Sequence, residues 1–275
     1  MSENSSPSAI AIIGGGFSGV MVAVHLLKLA QNPLEIKLIE RQPLMGRGRA
    51  YSGDSASYLL NVPAGKMSAF ADRPDHFLNW LKTQPQLTHN LAGGVKAETF
   101  IPRHIYGKYI EAILETAAIA SQCGHLERIC DEAISIRPDT EGATIYLSSD
   151  RTLQAQKVVL ALGNFLPSDP PVADPSFYNS PRYIRDARSD AALAELSPDD
   201  SILLVGSGLT AVDIAIALRD SNHKGKIHAV SRRGLLSQAH KLAPPASVFL
   251  SPDTAPKNIR SLLKLIRQEV RAANS

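Results

Sequence analysis

The hydrophobic pattern of the chain begins with an unbroken apolar run, Ala9–Ile13. Such a run is typical of a parallel strand that is covered on both faces. The next segment, VMVAVHLLKLAQ, is apolar on most of its circumference and stops at Asn32 and Pro33, which predicts a buried helix. A further strand, LEIKLIE, ends at Glu40. The pattern therefore predicts a strand, a helix and a second strand in this order.

The same order returns near the C-terminal end of the sequence. SILLV predicts a strand over 201–205, LTAVDIAIALRD a helix that stops near Gly225, and KIHAV a second strand. Between the two copies, AISIRP, ATIYLS and TLQAQ are separated by DTEG and SSDR, which predicts an antiparallel meander over about 133–157. KVVLALGN then predicts another strand, and the connector LPSDPPVADP indicates a crossover between domains.

The last segment, NIRSLLKLIRQEVRAANS, has helical spacing of its apolar residues. They form one stripe along the helix: Ile259, Leu262, Leu263, Ile266 and Val270. We favour packing of this stripe on the second domain, which is the usual fate of an amphipathic helix. The alternative is that the stripe mediates a homodimer.

Composition narrows the classes of partner. The chain has 275 residues, 44% hydrophobic content and a net charge of +3, which predicts a folded protein that binds small molecules rather than nucleic acid. The start MSENSSPS lacks a secretory pattern and no apolar run is long enough to span a bilayer, so we expect no membrane association and a cytoplasmic location.

The two cysteines, Cys123 and Cys130, match neither a redox pair nor a metal site. The motifs of common hydrolases, P-loop proteins and zinc proteases do not occur.

A glycine turn, GGGFSG, joins the first predicted strand to its helix. Glycines in G-x-G-x-x-G spacing allow a tight turn, close approach of a pyrophosphate and close helix packing. The helix N-terminus supplies free N–H groups and a positive dipole end for the phosphates, and Glu40 can accept hydrogen bonds from a ribose diol. The residues predicted to bind this first dinucleotide are Gly14, Gly16, Phe17, Ser18, Gly19 and Glu40.

A second turn, VGSGLTA, repeats the arrangement with an alanine in the third position. Its predicted binding residues are Gly206, Gly208, Leu209, Thr210 and Ala211. Arg232 follows Gly206 by 26 residues, as Glu40 follows Gly14, so we expect it in the place of Glu40. An arginine suits a 2′-phosphate and a carboxylate repels one, which favours NADPH over NADH. Alternatively, Arg232 and Arg233 belong to a solvated turn. Asp213 is interpreted as a surface or capping carboxylate.

These motifs together resemble the glutathione-reductase-like and monooxygenase-like flavoproteins. More narrowly, GRGRAYS, LLNVPAGKMSAFADRPDHFLNWL and FIPRHIYGKYI resemble the uncharacterised bacterial FAD/NAD(P)-binding proteins, distant relatives of N-hydroxylating monooxygenases. The resemblance extends from Ile10 to about His240. It implies an α/β fold: a three-layer Rossmann-like FAD-binding domain over 1–165, with a helical insertion at about 62–125 and the meander. A second, partial Rossmann-like NAD(P)-binding domain occupies 166–275.

The resemblance also implies roles for residues outside the turns. Arg41 joins Glu40 at the adenosine ribose, and the loop with Gly46, Gly48 and Tyr51 runs close to the flavin. Asn61 and Met67 are expected to approach the isoalloxazine, and Arg103 precedes a helix that packs near it. Gly163 is also expected to bind the cofactor. An alternative assigns Tyr51, Tyr58, Met67, Phe77 and Trp80 to core packing.

The implied function is an FAD-dependent oxidoreductase reduced by NADPH, with hydride transfer from nicotinamide to flavin and onward transfer to oxygen, as in a monooxygenase, or to another acceptor. No catalytic acid, base or nucleophile and no metal site is identified.

In such flavoproteins a return segment completes the FAD domain, and few residues follow the second turn here. A dinucleotide-binding sensor or assembly subunit, or a fragment of a larger flavoprotein, is therefore the alternative. A dehydrogenase with one nicotinamide cofactor is disfavoured by the meander and the second turn.

Overall fold

The computed structural model describes residues 8–53, 56–91, 93–189, 191–194, 196–239 and 249–273. These residues group into one compact unit that reaches Leu236 and another that starts at Ser237. Both glycine turns belong to the first unit. No helix among the described residues combines the length and the apolar character needed to cross a membrane. The division into domains 1–165 and 166–275 stays a prediction.

The elements follow one another as the hydrophobic pattern predicts. In chain order they are β1 (Ser8–Ile13), α1 (Phe17–Leu29), β2 (Leu34–Glu40), α2 (Gly48–Tyr51), α3 (His76–Lys82), α4 (Pro85–Thr88), α5 (Arg103–Ala120), β3 (Gly124–Cys130), β4 (Ala133–Pro138), β5 (Ala143–Leu147), β6 (Thr152–Ala155), β7 (Lys157–Leu160), α6 (Ala191–Ala194), β8 (Ile202–Val205), α7 (Leu209–Asp220), β9 (Ile227–Val230) and α8 (Ile259–Ala273). Short 3₁₀ turns lie at Ala64–Lys66 and Ser176–Asn179.

The main sheet is parallel and runs in the spatial order β3, β2, β1, β7. The central strand β1 is apolar without alternation because both of its faces are covered: the neighbouring residues Ala11 and Ile12 are each fully buried. The adjacent strand β2 also has the polar residues Glu35 and Lys37, and it buries Ile36 and Leu38. The ends of β1 and β7 meet at one edge of the sheet. There the N–H of Ala161, the residue after β7, donates a hydrogen bond to the carbonyl of Ile13, the last residue of β1. The first glycine turn lies at this edge.

Helices cover one face of the main sheet. The helix α1 buries Val20, Val24 and Leu27, and α5 packs beside it. A cluster of aromatic side chains fills the space between α3 and α5, with Phe77 5.0 Å from Tyr106 and 4.8 Å from Tyr109 between ring centroids. Fully buried Phe77 confirms the packing interpretation for this residue, and Trp80 and Met67 pack against the same core.

The meander covers the other face of the main sheet. The strands β4, β5 and β6 pair antiparallel in sequence, as predicted. Ile145, Leu147 and Leu153 from the meander pack with Ile13 and Ile39 from the sheet. The fold is therefore α/β with helices, parallel sheet and meander as its three layers, and the predicted class is confirmed.

A separate small sheet carries the second glycine turn. The strand β8 pairs in parallel with β9, and α7 connects them, which is the strand, helix and strand order of a partial Rossmann-like unit. This unit is much less buried than its counterpart: Val205, the last residue of β8, is 66% exposed, whereas Ile13 at the end of β1 is 7% exposed. Of α7, the buried residues are Ile214, Ala217 and Leu218.

The unit that starts at Ser237 is described by its helix α8. This helix spans Ile259–Ala273, which agrees with the periodicity of the sequence. None of the described side chains of α8 is buried. Packing of its stripe on the second domain and its role in a homodimer both stay predictions.

Candidate functional site

The first glycine turn depends on close backbone packing at two of its glycines. Gly14 has a φ of +105°, and its N–H donates to the Ile39 carbonyl at 2.9 Å. A Cβ on Gly14 would overlap the Ala161 carbonyl, and a Cβ on Gly19 would overlap the carbonyl oxygen of Gly14 itself. The turn is thus wedged between the helix and the end of β7, and only glycine fits there.

Gly16 and Gly48 bring two backbone segments together at the start of α1. A Cβ on Gly48 would lie only 3.2 Å from the Gly16 Cα, which is a tight approach, and a Cβ on Gly16 would contact the Gly48 Cα at 3.6 Å. Gly16 is the N-cap residue and supplies no side-chain acceptor to the helix, which leaves the first N–H groups, including those of Phe17 and Ser18, for an outside acceptor. A helix start of this kind is an anion-binding site.

Glu40 is joined to the turn itself. Its Oε2 accepts the Gly15 N–H at 2.8 Å, and its Oε1 accepts the Gln42 N–H at 3.0 Å. The carboxylate therefore fixes the backbone of the turn, and each oxygen keeps a second lone-pair direction for a ligand. The Arg41 side chain points away from the turn: it is 61% exposed, and its guanidinium lies 3.4 Å from the Glu132 carboxylate.

The loop before α2 lies against the first turn, and its predicted approach to the flavin stays a prediction. The Gly46 N–H donates to the Gly15 carbonyl at 2.6 Å, and the Arg47 Nε donates to Glu111 Oε1 at 2.5 Å, which ties the loop to α5. The Tyr51 ring lies 4.8 Å from the Tyr106 ring, and burial raises the pKa of both phenols. Both tyrosines are therefore neutral at physiological pH.

The structure also describes three other residues that were predicted for the first site. Asn61 Oδ1 accepts a hydrogen bond from Arg103 Nη2 at 2.7 Å, which pairs two residues that the resemblance placed near the flavin. Gly163 has a φ of +68°, and a Cβ built on it would find no described atom within 4 Å. Gly163 follows two residues after Ala161, whose carbonyl lies against Gly14.

The second glycine turn has the backbone of the first without its packing. Gly206 has a φ of +117°, and its N–H donates to the Val230 carbonyl at 2.8 Å. Cβ atoms on Gly206 and Gly208 would meet no described atom within 4 Å. Gly208 is the N-cap of α7 and again supplies no side-chain acceptor. Leu209 is 39% exposed, and the Ala211 N–H bonds the Gly208 carbonyl.

Strand register corrects the expected equivalence between Arg232 and Glu40. Ile13 pairs with Ile39, so the residue after this pair is Glu40. Val205 pairs with Val230, so the corresponding residue is Ser231, and Arg232 lies one position further. The equal spacing of 26 residues misleads because the paired strand ends are 26 residues apart in the first unit and only 25 in the second, so the second connection is one residue shorter. Arg232 and Arg233 are both exposed in the turn that follows β9.

The side chains around the start of α7 include residues that the sequence interpretation missed. Arg188 Nη2 donates to Thr210 Oγ1 at 2.8 Å and lies 3.9 Å from the Asp213 carboxylate. The Asp213 side chain is 15% exposed, so it is not a freely solvated surface carboxylate, and the alternative of a capping carboxylate stays a prediction. In the part of the chain that the structure describes, no group of His, Cys, Asp and Glu is placed to hold a metal ion.

Solved structures share this fold. The ornithine N-hydroxylase of Kutzneria sp. 744, described with reduced FAD, NADP⁺ and L-ornithine, superposes with a TM-score of 0.59 and 17% identity over 82% of this chain and 53% of its own. The cadaverine monooxygenase of Erwinia amylovora, bound to FAD, gives 0.54 and 19% over 82% and 51%. Cyclohexanone monooxygenase in its closed form gives 0.54 and 16% over 82% and 39%.

This chain thus spans about half or less of the length of these structures. No curated protein matches the sequence. A family model described as FAD-NAD(P)-binding matches residues 11–165, which contain the first turn, the helical layer and the meander. The match covers more than half of the chain, and the chain belongs to the FAD-NAD(P)-binding family.

Proposed function

We propose that this protein is an FAD-dependent oxidoreductase that is reduced by NADPH and acts in the manner of a monooxygenase. The observation that carries the proposal is the pair of glycine turns, each at the end of a parallel strand and each followed by a helix without a side-chain cap. The turns differ in the residue that follows the second strand, Glu40 in one and Ser231 in the other. Two different nucleotides are expected from that difference.

The first turn fits FAD. The close approach of Gly16 and Gly48 leaves backbone N–H groups at the start of α1 for a diphosphate, with no side chain in between. Glu40 has lone pairs left for the ribose hydroxyls after holding the Gly15 and Gln42 N–H groups. The site residues proposed for FAD are Gly14, Gly16, Phe17, Ser18, Gly19, Glu40 and Gly48, with Arg41, Asn61 and Gly163 as weaker members.

The second turn fits NADPH. Ser231 is small and neutral at the position where a carboxylate would repel a 2′-phosphate, and the next residue, Arg232, is exposed and cationic. A guanidinium can hold a phosphate through charge-assisted hydrogen bonds. Gly206, Gly208, Leu209, Thr210 and Ala211 would hold the diphosphate at the start of α7, with Arg233 beside Arg232.

When bound, FAD would supply the redox chemistry by accepting a hydride from the nicotinamide. The residues of this chain contribute binding and orientation. Glu40 holds the first turn in shape, and the partly buried Tyr51 and the buried Tyr106 stay protonated beside the loop. The arginines of the second turn would neutralise phosphate charge. The structural relatives named above are hydroxylases and monooxygenases, which supports this reaction class. A small-molecule substrate or electron acceptor is the expected partner.

A non-catalytic dinucleotide-binding sensor or assembly subunit is the second candidate. The observation that favours it is the exposure of the small sheet: Leu203 is 62% exposed and Val205 66% exposed. Apolar strand residues left open in this way indicate a surface that another segment or another protein covers.

The visible spectrum of the purified full chain, recorded after incubation with FAD, tests the proposal. A bound flavin that is bleached by NADPH faster than by NADH under anaerobic conditions is the expected result. Failure to retain any flavin would contradict the proposal. A bound flavin that neither nucleotide reduces would instead favour the sensor.

A further inference from the structure

Arginine side chains from three separate parts of the first unit meet at one small cavity. The cavity has a volume of about 20 Å³. Its wall contains Arg49 of α2, Arg103 at the start of α5, Arg188 from the segment before α6, and Asp213 of α7. A volume of this size holds one or two water-sized groups. The cavity is too small for a nucleotide, but it can hold one or two oxygens of a compact anion.

The charges at this cavity do not cancel. Arg49 is paired with Asp186 at 2.6 Å, and Arg188 lies 3.9 Å from Asp213. Arg103 donates through Nη2 to the neutral amide oxygen of Asn61, and no described carboxylate forms an ion pair with it. The group is left with one positive charge in excess.

Arg103 also has an unfilled hydrogen-bonding position. Its Nε is buried and has no hydrogen-bond partner among the described residues. A buried N–H of a cation without an acceptor is costly, and an anion would relieve that cost. Burial first, and then the nearby Arg188, lower the pKa of the Arg103 guanidinium, so the two cations face each other without sufficient negative charge.

The geometry points to an anion site in this cavity that binds a phosphate group. The guanidinium groups of Arg103 and Arg188 present forks of N–H donors, which match the oxygens of a tetrahedral oxyanion. Thr210, which already accepts from Arg188, places the site at the first turn of α7. Asp213 opposes the anion and limits its affinity. The site requires no redox activity, because charge and hydrogen bonds alone bind the ligand.

Calorimetric titration of the full chain with sodium phosphate, at constant ionic strength set with sodium chloride, tests the site. Arg103→Gln and Arg188→Gln should each weaken phosphate binding about tenfold, since a charge-assisted hydrogen bond is lost. Asp213→Asn should strengthen it about threefold, because a like charge a few ångströms away is removed. Arg219→Gln, the same change on an exposed arginine of the same helix, should leave the affinity as it is.

The opposite signs separate an anion site from a structural ion-pair cluster. Loss of affinity in Asp213→Asn, or unchanged affinity in both arginine variants, would overturn the proposal, and so would the absence of saturable phosphate binding to the unmodified protein. If circular dichroism shows that Arg103→Gln is unfolded, the Arg188→Gln and Asp213→Asn variants still decide the question.

A competition arm identifies the source of the phosphate group. NADP⁺ that competes with phosphate shows that the site takes a phosphate of the nucleotide. NADP⁺ that binds without competing shows that it takes free inorganic phosphate. Either result supports the site, and both leave the flavin spectrum as an independent test of the proposed function.

Discussion

The two glycine turns share one backbone conformation and differ in almost everything that surrounds it. Gly14 and Gly206 have similar positive φ angles and donate to the equivalent carbonyl of the neighbouring strand. Around Gly14 and Gly19 the backbone is packed so tightly that a methyl group does not fit, whereas Gly206 and Gly208 face open space. The glycine pattern therefore reports backbone shape, and the packing around it must be learned from the structure.

The difference extends along the helices. The third position of the motif is Gly19 in α1 and Ala211 in α7, and two residues later α1 has buried Met21 where α7 has Asp213. An apolar residue at this point anchors α1 to its sheet. At the same point of α7, Asp213 lies in the wall of the cavity that the arginines line.

The largest effect is expected from exchanging the third residues of the motifs. Gly19→Ala should destabilise the protein by about 3 kcal/mol and abolish flavin retention, because the new methyl group collides with the Gly14 carbonyl. The reverse change, Ala211→Gly, should cost about 1 kcal/mol through helix propensity alone. Urea unfolding of both variants measures the contrast, and equal losses would contradict the packing difference.

Glu40→Gln should be the next most damaging change. An amide cannot accept both the Gly15 and the Gln42 N–H groups, so about 2 kcal/mol of stability should be lost together with affinity for FAD. Glu35→Gln on the same strand is the matched control, since Glu35 makes a partly exposed pair with Lys37 and should change stability by less than about 1 kcal/mol. Similar losses in both variants would show that Glu40 does not hold the turn.

Ser231→Glu should give the second turn the chemistry of the first. The added carboxylate would repel a 2′-phosphate, so the ratio of NADPH to NADH efficiency should fall about tenfold, and Arg232→Gln should lower it by a similar factor. Steady-state kinetics with both nucleotides provide the measurement. An unchanged ratio in both variants would remove these residues from the nucleotide site.

The smallest effect concerns the pH dependence of stability. Burial raises the pKa of Asp213 above its ordinary 3.8, and the positive charges of Arg103 and Arg188 only partly oppose this shift. A carboxyl whose folded pKa is raised contributes most below its unfolded pKa and loses that contribution as the pH rises through its folded pKa. Asp213→Asn should therefore gain stability relative to the unmodified protein as the pH rises above 3.8, measured by urea unfolding. A constant difference would contradict the shift.

Much of the fold could be predicted from the sequence because it is written in local patterns. The strands β1 and β2, the helix α7 and the meander follow from apolar runs and turn residues. The position of Ser231 could not be predicted, since it depends on how β8 and β9 pair and not on distance along the chain. The arginine cavity could not be predicted either, because Arg49 and Arg188 are far apart in sequence and come together only in the tertiary fold.

The hydrogen bond from the Gly15 N–H to Glu40 has a consequence for how long a nucleotide stays bound. A turn that the protein already holds in its binding shape loses little conformational entropy when a ligand arrives, so the ligand keeps more of its binding energy and leaves slowly. Among the described contacts, Ser231 makes no equivalent hydrogen bond to the backbone of the second turn. In the proposed function, the first turn is suited to a resident cofactor and the second to a nucleotide that exchanges in every catalytic cycle.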